Sequence, residues 1–220
     1  MKRRLLLLLS ALAAVSLAQQ APVPIMPLGD SITDGAQFPG GYRIHLWDLL
    51  VSSGFNIEFV GSLSNGPKEL PSRNHEGHSG WSIAEIDAQV QGWLDKYQPR
   101  IILLMIGTID IVRLIDIEHA PDRLRTLIDD ITAVLPDSHL IVAAITPAAD
   151  PGYDEFVVQF NSFIPDIVAD EAAQGKLVSF VDMHSALDPA MDLINDVHPT
   201  LDGYNKMAEV WYEGIISIQD

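Results

Sequence analysis

Three short segments of this chain combine residue types that can carry out nucleophilic chemistry. Gly29-Asp30-Ser31 directly follows the apolar run 23–28. A serine at a strand end, where glycine lets the backbone turn tightly, is presented to a substrate, and N–H groups at such a turn can hold a negative oxygen. Taken alone, the same three residues fit an ordinary helix cap equally well. Asp196-Val197-His198-Pro199 supplies what a serine hydroxyl lacks. A histidine near its neutral pKa removes the proton, and a carboxylate fixes its tautomer and stabilises its charged form. Asp and His two apart in an extended loop can lie side by side, so Asp196 is read as the orienter and His198 as the base. The third segment, Gly77-His78-Ser79-Gly80-Trp81, precedes a helical pattern, and its glycines suit a backbone donor near a reacting carbonyl.

Other candidates carry less. Asn74-His75-Glu76-Gly77-His78 lacks the helical His-Glu-x-x-His spacing of a metal site, so no metal is assigned. His45, His119, His139 and His184 read as surface or core residues. Trp81 and Trp93 fit the core side of a helix, with Trp81 also a candidate for lining the site. Asp110 reads as an acceptor for loop backbone, Arg43 as one half of a surface ion pair, and Asp182 as a spare carboxylate at a strand end.

The elements that must position these residues alternate in kind. Apolar runs at 23–28, 56–60, 100–106, 140–145 and 177–181 have the composition of strands buried on both faces. Between them, helical spacing predicts helices over 42–51 (closed by Gly54), 83–97 and 121–135, the last beginning with Pro121 and the acidic Asp122. A longer pattern at 155–173 contains Pro165 and is expected to kink there or split. A last helix over 202–216 has Asp202 or Thr200 as its cap. Five β-α units imply right-handed crossovers and one parallel sheet covered on both faces, a three-layer α/β/α domain. The order 2-1-3-4-5 is expected, with the site at the carboxyl ends of the strands. Residues 65–74 form a polar loop expected on the rim of the site.

The 220 residues fit one domain, and 48% hydrophobic residues give it a sizeable core. Lys2, Arg3 and Arg4, an apolar stretch over 5–15 and the small-x-small Ser16-Leu17-Ala18 read as an export leader spanning 1–18, with the domain over 19–220. The apolar stretch is shorter than the roughly 20 residues of a spanning helix. The expected location is therefore secreted or periplasmic. The formal net charge is −17, and loss of the three basic leader residues makes it more negative still. Such a surface repels phosphate backbones and anionic lipid heads, so neither nucleic acid nor membrane is expected as a partner. A neutral ester substrate is compatible with it. There is no cysteine, which rules out disulfides and thiol chemistry.

Together the segments resemble the SGNH hydrolases, also called the GDSL esterase/lipase family. Gly29-Asp30-Ser31 is similar to the first block, with Ser31 as nucleophile. Gly80 is similar to the second-block glycine, whose N–H joins that of Ser31 in the oxyanion hole. Gly107-Thr108-Ile109-Asp110 occupies the third block and Asp196-Val197-His198 the last. The detail of IMPLGDSIT, HEGHSGWSI, MIGT and DVHPTLDGYNKMAEVW looks most like carbohydrate esterase family three, whose members include acetyl xylan esterases. The resemblance implies a flavodoxin-like fold, a serine esterase acting on short acyl esters of carbohydrate, and no cofactor. One departure stands out. The third block normally carries an Asn that donates to the oxyanion, and here the position is Ile109, which has no donor. Losing one such donor costs roughly 10²–10³ in kcat. A weakened esterase is the expectation, with Asn74 and Thr108 as candidate replacement donors, and Asp30, Asn74, Trp81 and Thr108 as candidate substrate contacts. The alternatives are an arylesterase, thioesterase or lysophospholipase of the same superfamily, or a silent glycan-binding protein.

Overall fold

The structure is a computed structural model that describes residues 21–219; the leader expected at 1–18 lies outside them. Seven strands form one sheet: β1 (Val23–Gly29), β2 (Ile57–Phe59), β3 (Leu63–Ser64), β4 (Asn74–Gly77), β5 (Ile101–Met105), β6 (His139–Ala143) and β7 (Val178–Val181). The order is β3-β4-β1-β5-β6-β7, with β2 also paired to β1. All pairings are parallel except β3 with β4. The five-residue run of β5 is buried throughout, as a central parallel strand requires.

The expected order holds, with one elaboration: the place beside β1 is shared by two segments. β2 pairs with the first part of β1 (Val23 with Ile57), and β4 pairs with the end of β1 (Leu28 with Glu76). Between them the chain leaves β1, and side chains take over part of the backbone pairing. The Phe59 N–H donates to Ser72 Oγ at 2.7 Å, and Ser72 Oγ donates back to the Phe59 carbonyl at 2.9 Å.

The helices are α1 (Ser31–Asp34), α2 (Tyr42–Ser52), α3 (Ile83–Tyr97), α4 (Thr108–Val112), α5 (Ala120–Val134), α6 (Pro151–Ala173) and α7 (Leu201–Ser217). α2 packs on α7, with the Tyr42 and Trp211 rings 5.9 Å apart, while α3 packs on α5 and α5 on α6. Right-handed crossovers put these two groups on opposite faces of the sheet. Thr200, not Asp202, caps α7 by accepting from the Gly203 N–H. α6 is one helix and does not split at Pro165, although that residue cannot donate to the Asn161 carbonyl. Among the described residues no helix is long and apolar enough to cross a membrane.

Arg43 corrects the surface ion pair expected for it. It is fully buried, and its guanidinium donates to the Arg73 carbonyl (2.8 Å), Asn65 Oδ1 (2.5 Å), the Asp34 carbonyl (3.3 Å) and the Asn65 carbonyl (3.4 Å). The inward face of α2 thus clamps the 65–73 loop to the end of α1. Burial lowers the Arg43 pKa to about 10, which leaves the group charged at neutral pH.

Asp30 does the corresponding work for α1. Its Oδ1 accepts from the Ile32 N–H at 2.9 Å, which caps the helix that begins at Ser31. The side chain is fully buried beside Thr108, with Asp110 as a nearby negative charge, and desolvation raises its pKa from 3.8 to about 6. A raised carboxyl pKa means that the fold prefers the protonated form. Stability is unaffected below 3.8, falls between 3.8 and about 6 as the unfolded chain ionises first, and stays lower above that. The full difference is about 3 kcal/mol. Asp30→Asn keeps the capping oxygen and cannot ionise. Thermal denaturation should therefore show a higher Tm for this variant at about pH 8 and little difference from the parent at about pH 4.

Candidate functional site

The carboxyl edge of the sheet gathers three of the segments singled out above. Ser31 is the first residue of α1, directly after β1. Gly29 is indispensable to that turn, because a Cβ there would lie 2.2 Å from the Met105 carbonyl oxygen of β5. The first N–H groups of a helix have no intrahelical acceptor, and the Ser31 N–H has none among the described residues. Ser31 as a residue is largely buried, 7% exposed.

Ser31 Oγ lies 2.9 Å from His198 Nε2. His198 sits in a tight loop between β7 and α7, pinned by a bridge between Leu193 and Pro199 and by the Ile194 N–H donating to the His198 carbonyl at 2.9 Å. Below it, the buried Asp192 accepts from Lys206 Nζ at 2.6 Å and from the Asp188 N–H at 2.7 Å.

The partner of His198 Nδ1 differs from the one expected. Asn195 Oδ1 lies 3.2 Å from Nδ1 and also accepts from the backbone N–H groups of His198 (2.9 Å) and Val197 (3.1 Å). Two backbone donors aimed at this atom identify it as the amide oxygen. Nδ1 must then carry the hydrogen, which leaves Nε2 as the acceptor for the Ser31 hydroxyl. Asp196 is exposed, and among the described residues nothing bonds to its carboxylate. Its carbonyl accepts from the Ala149 N–H at 2.8 Å, which ties the loop to the segment after β6. The extended conformation assumed for Asp196 and His198 is replaced by a turn that Asn195 closes on itself. The missed signal was an Asn three residues before the His, a residue suited to such a turn. Desolvation of the half-buried His198 lowers its pKa below the ordinary imidazole value.

Gly80 sits in the loop from β4 to α3 with φ +83°, a conformation that glycine adopts without strain. Its N–H has no acceptor among the described residues. The loop is rigidly held. The His78 N–H donates to the Gly29 carbonyl at 2.8 Å, and the His78 ring stacks against Trp81 and Trp93, at 4.3 and 4.6 Å, whose rings are themselves 6.2 Å apart. His78 Nε2 meets the buried Glu76 at 2.8 Å, and Glu76 in turn accepts from the Ser62 N–H and hydroxyl. Ser82 and Glu85 form a capping box that starts α3 immediately after.

The remaining candidates are distributed unevenly. Ile109 is the second residue of α4, half-buried, and brings only hydrocarbon. Asp30 and Thr108 are buried against each other, so neither is open to substrate; helix capping and the start of α4 hold them inside. Asn74 is exposed in β4, paired with Ser64. Trp81 is half-buried, with one ring face taken by His78. Asp110 accepts from the Ile83 N–H and from Arg123, both at 2.9 Å, as loop-backbone duty requires. Asp182 is engaged with Ser185.

Comparison with known proteins identifies the family and the fold. The profile of the GDSL-like Lipase/Acylhydrolase family matches residues 28–206. A multidomain esterase of Ruminococcus flavefaciens is 32% identical over 93% of this chain, which spans only 31% of that protein's length. A family 3 carbohydrate esterase of Clostridium thermocellum has 38% identity and a TM-score of 0.82 over 90% of this chain and 96% of its own. A family 3 carbohydrate esterase of Talaromyces cellulolyticus has 25% identity and a TM-score of 0.78 over 89% of this chain and 97% of its own. With its fold and its family profile in agreement, this chain belongs to the GDSL-like lipase/acylhydrolase family.

Proposed function

We propose that this chain is an exported serine esterase that releases short acyl groups, foremost acetyl, from carbohydrate esters. The observation that carries the reading is the 2.9 Å contact between Ser31 Oγ and His198 Nε2. It stands on the fold of family 3 carbohydrate esterases. The leader over 1–18 supports export.

In this reading Ser31 Oγ attacks the ester carbonyl as His198 Nε2 takes its proton. The backbone N–H groups of Ser31 and Gly80 hold the oxyanion, and His198 protonates the departing sugar hydroxyl. Water, deprotonated by His198, then attacks the acyl-enzyme and releases the acid. Two features weaken the machine. Ile109 gives no third donor. Asn195 orients the imidazole in the correct tautomer but, being neutral, gives no electrostatic support to the imidazolium that forms.

Hydrolysis of p-nitrophenyl acetate tests this directly. The parent should be active and Ser31→Ala silent. Ile109→Asn should raise kcat by about 10²-fold, the value of a restored oxyanion donor. A parent no faster than Ser31→Ala, beside an active Ile109→Asn, would instead support a glycan-binding protein that has lost turnover, a reading the two weakened positions favour.

Asn195 makes its own prediction. The parent's kcat/KM should rise with pH through an inflection below the ordinary imidazole value, because burial lowers the His198 pKa and the base works only when deprotonated. In Asn195→Asp a carboxylate beside Nδ1 should move that inflection upward and raise the plateau rate about tenfold, the low end for an opposite charge at an exposed position. Asp196→Ala should change the rate less than about twofold, since its carboxylate does not touch the ring. A rate loss in Asp196→Ala as large as that of His198→Ala would return the orienting role to Asp196.

A further inference from the structure

The face of the sheet that carries α5 and α6 holds a concave groove of about 390 Å³, within the size range of small-molecule sites. Phe156, Phe160 and Phe163 line it at successive turns of α6, and Ile117 and Glu118 line the opposite wall. Gln159 stands beside the phenylalanines. Phe160 is its most buried aromatic, and a Cβ on Gly107 would lie 2.7 Å from its ring. Gly107 caps α4, the helix of Thr108 and Ile109, and Ile111 of the same helix lines the groove. Phe163, by contrast, is 47% exposed at the mouth.

The lining has a particular chemistry. Aromatic faces are flanked by an amide and a carboxylate, both exposed, and among the described residues neither group is engaged in a hydrogen bond. A lipid chain would have no use for these polar groups, and an anionic ligand would be repelled by Glu118 and by the net charge of −17. A neutral pyranose fits both parts. Its C–H face lies on an aromatic ring, and its hydroxyl rim donates to a carboxylate and accepts from an amide.

The geometry points to this groove as an accessory glycan subsite, which holds unesterified sugar units of the polysaccharide whose acyl group is placed at Ser31. The inference rests on the carbohydrate esterase reading above and extends it to a second surface. The groove thus recognises the polymer, while Ser31 and His198 meet only the ester.

Calorimetric titration with xylohexaose, which carries no ester, tests the groove apart from turnover. Ser31→Ala protein should bind it, and Phe163→Ala or Gln159→Ala on that background should weaken the Kd about tenfold. Both positions are exposed, and an unchanged Tm confirms that each variant folds. In the Ser31-containing protein the same two changes should raise KM on acetylated xylo-oligosaccharides and leave p-nitrophenyl acetate hydrolysis unaltered. Absence of xylohexaose binding, or a Kd unchanged in both variants, overturns the subsite. A parent that binds xylohexaose but never hydrolyses p-nitrophenyl acetate refutes the esterase reading and leaves the subsite standing.

Discussion

One hydrogen bond sets the demands on the rest of the molecule. Ser31 Oγ and His198 Nε2 are 167 residues apart in sequence and 2.9 Å apart in space. A bond of that length tolerates errors of only a few tenths of an ångström, so both of its ends have to be held by backbone that cannot drift. At one end, Gly29 lets β1 run against β5, and Asp30 caps the helix begun by Ser31. At the other, Asn195 gathers two backbone N–H groups and the imidazole onto a single oxygen, and Ala149 fastens the loop to the next strand end. The parallel sheet is the rigid body that makes the two ends commensurate.

The supporting shell is polar and buried to an unusual degree. Asp30, Arg43, Glu76 and Asp110 are all wholly inaccessible, and all flank the carboxyl edge of β1 and β5. Burying charge costs several kcal/mol per group unless hydrogen bonds compensate. Here they do: Arg43 donates to carbonyls, Glu76 accepts from Ser62 and His78, and Asp110 accepts from Arg123 and the Ile83 N–H. Apolar side chains would pack as tightly, but they could not fix loops whose backbone leaves the sheet. The same edge therefore concentrates both the ordering of the site and the electrostatic cost of it. Asp30 shows the cost most clearly, since its only compensation is a helix cap and a hydroxyl neighbour.

The strands were legible because parallel strands buried on both faces read as uninterrupted apolar runs, and residues 101–105 leave no other interpretation. Ser31 and His198 were legible as residue types with neighbours suited to them. What escaped has a common cause. β4 is Asn-His-Glu-Gly, with no apolar run to mark it; it is a strand because β1 needs a partner at its end and Arg43 holds the intervening loop. Arg43 itself was read as exposed, the default for a charged side chain, because two of its three carbonyl acceptors come from residues 22 and 30 positions away. Asn195 was passed over for the charged residue beside it. Chemical type pointed to Asp196; in the structure Asp196 is exposed and Asn195 Oδ1 is the atom 3.2 Å from His198 Nδ1. Ile109 was visible as a departure, while its consequence for rate depends on donors that the sequence does not place.

Activation of the Ser31 nucleophile by His198 is tested most directly by covalent trapping. Treatment with a p-nitrophenyl alkylphosphonate, which phosphonylates a nucleophilic serine Oγ with loss of p-nitrophenolate, followed by peptide mass spectrometry, should place one adduct on the peptide containing Ser31 and none in His198→Ala protein. An adduct on another residue, or equal labelling with His198 removed, would contradict the account.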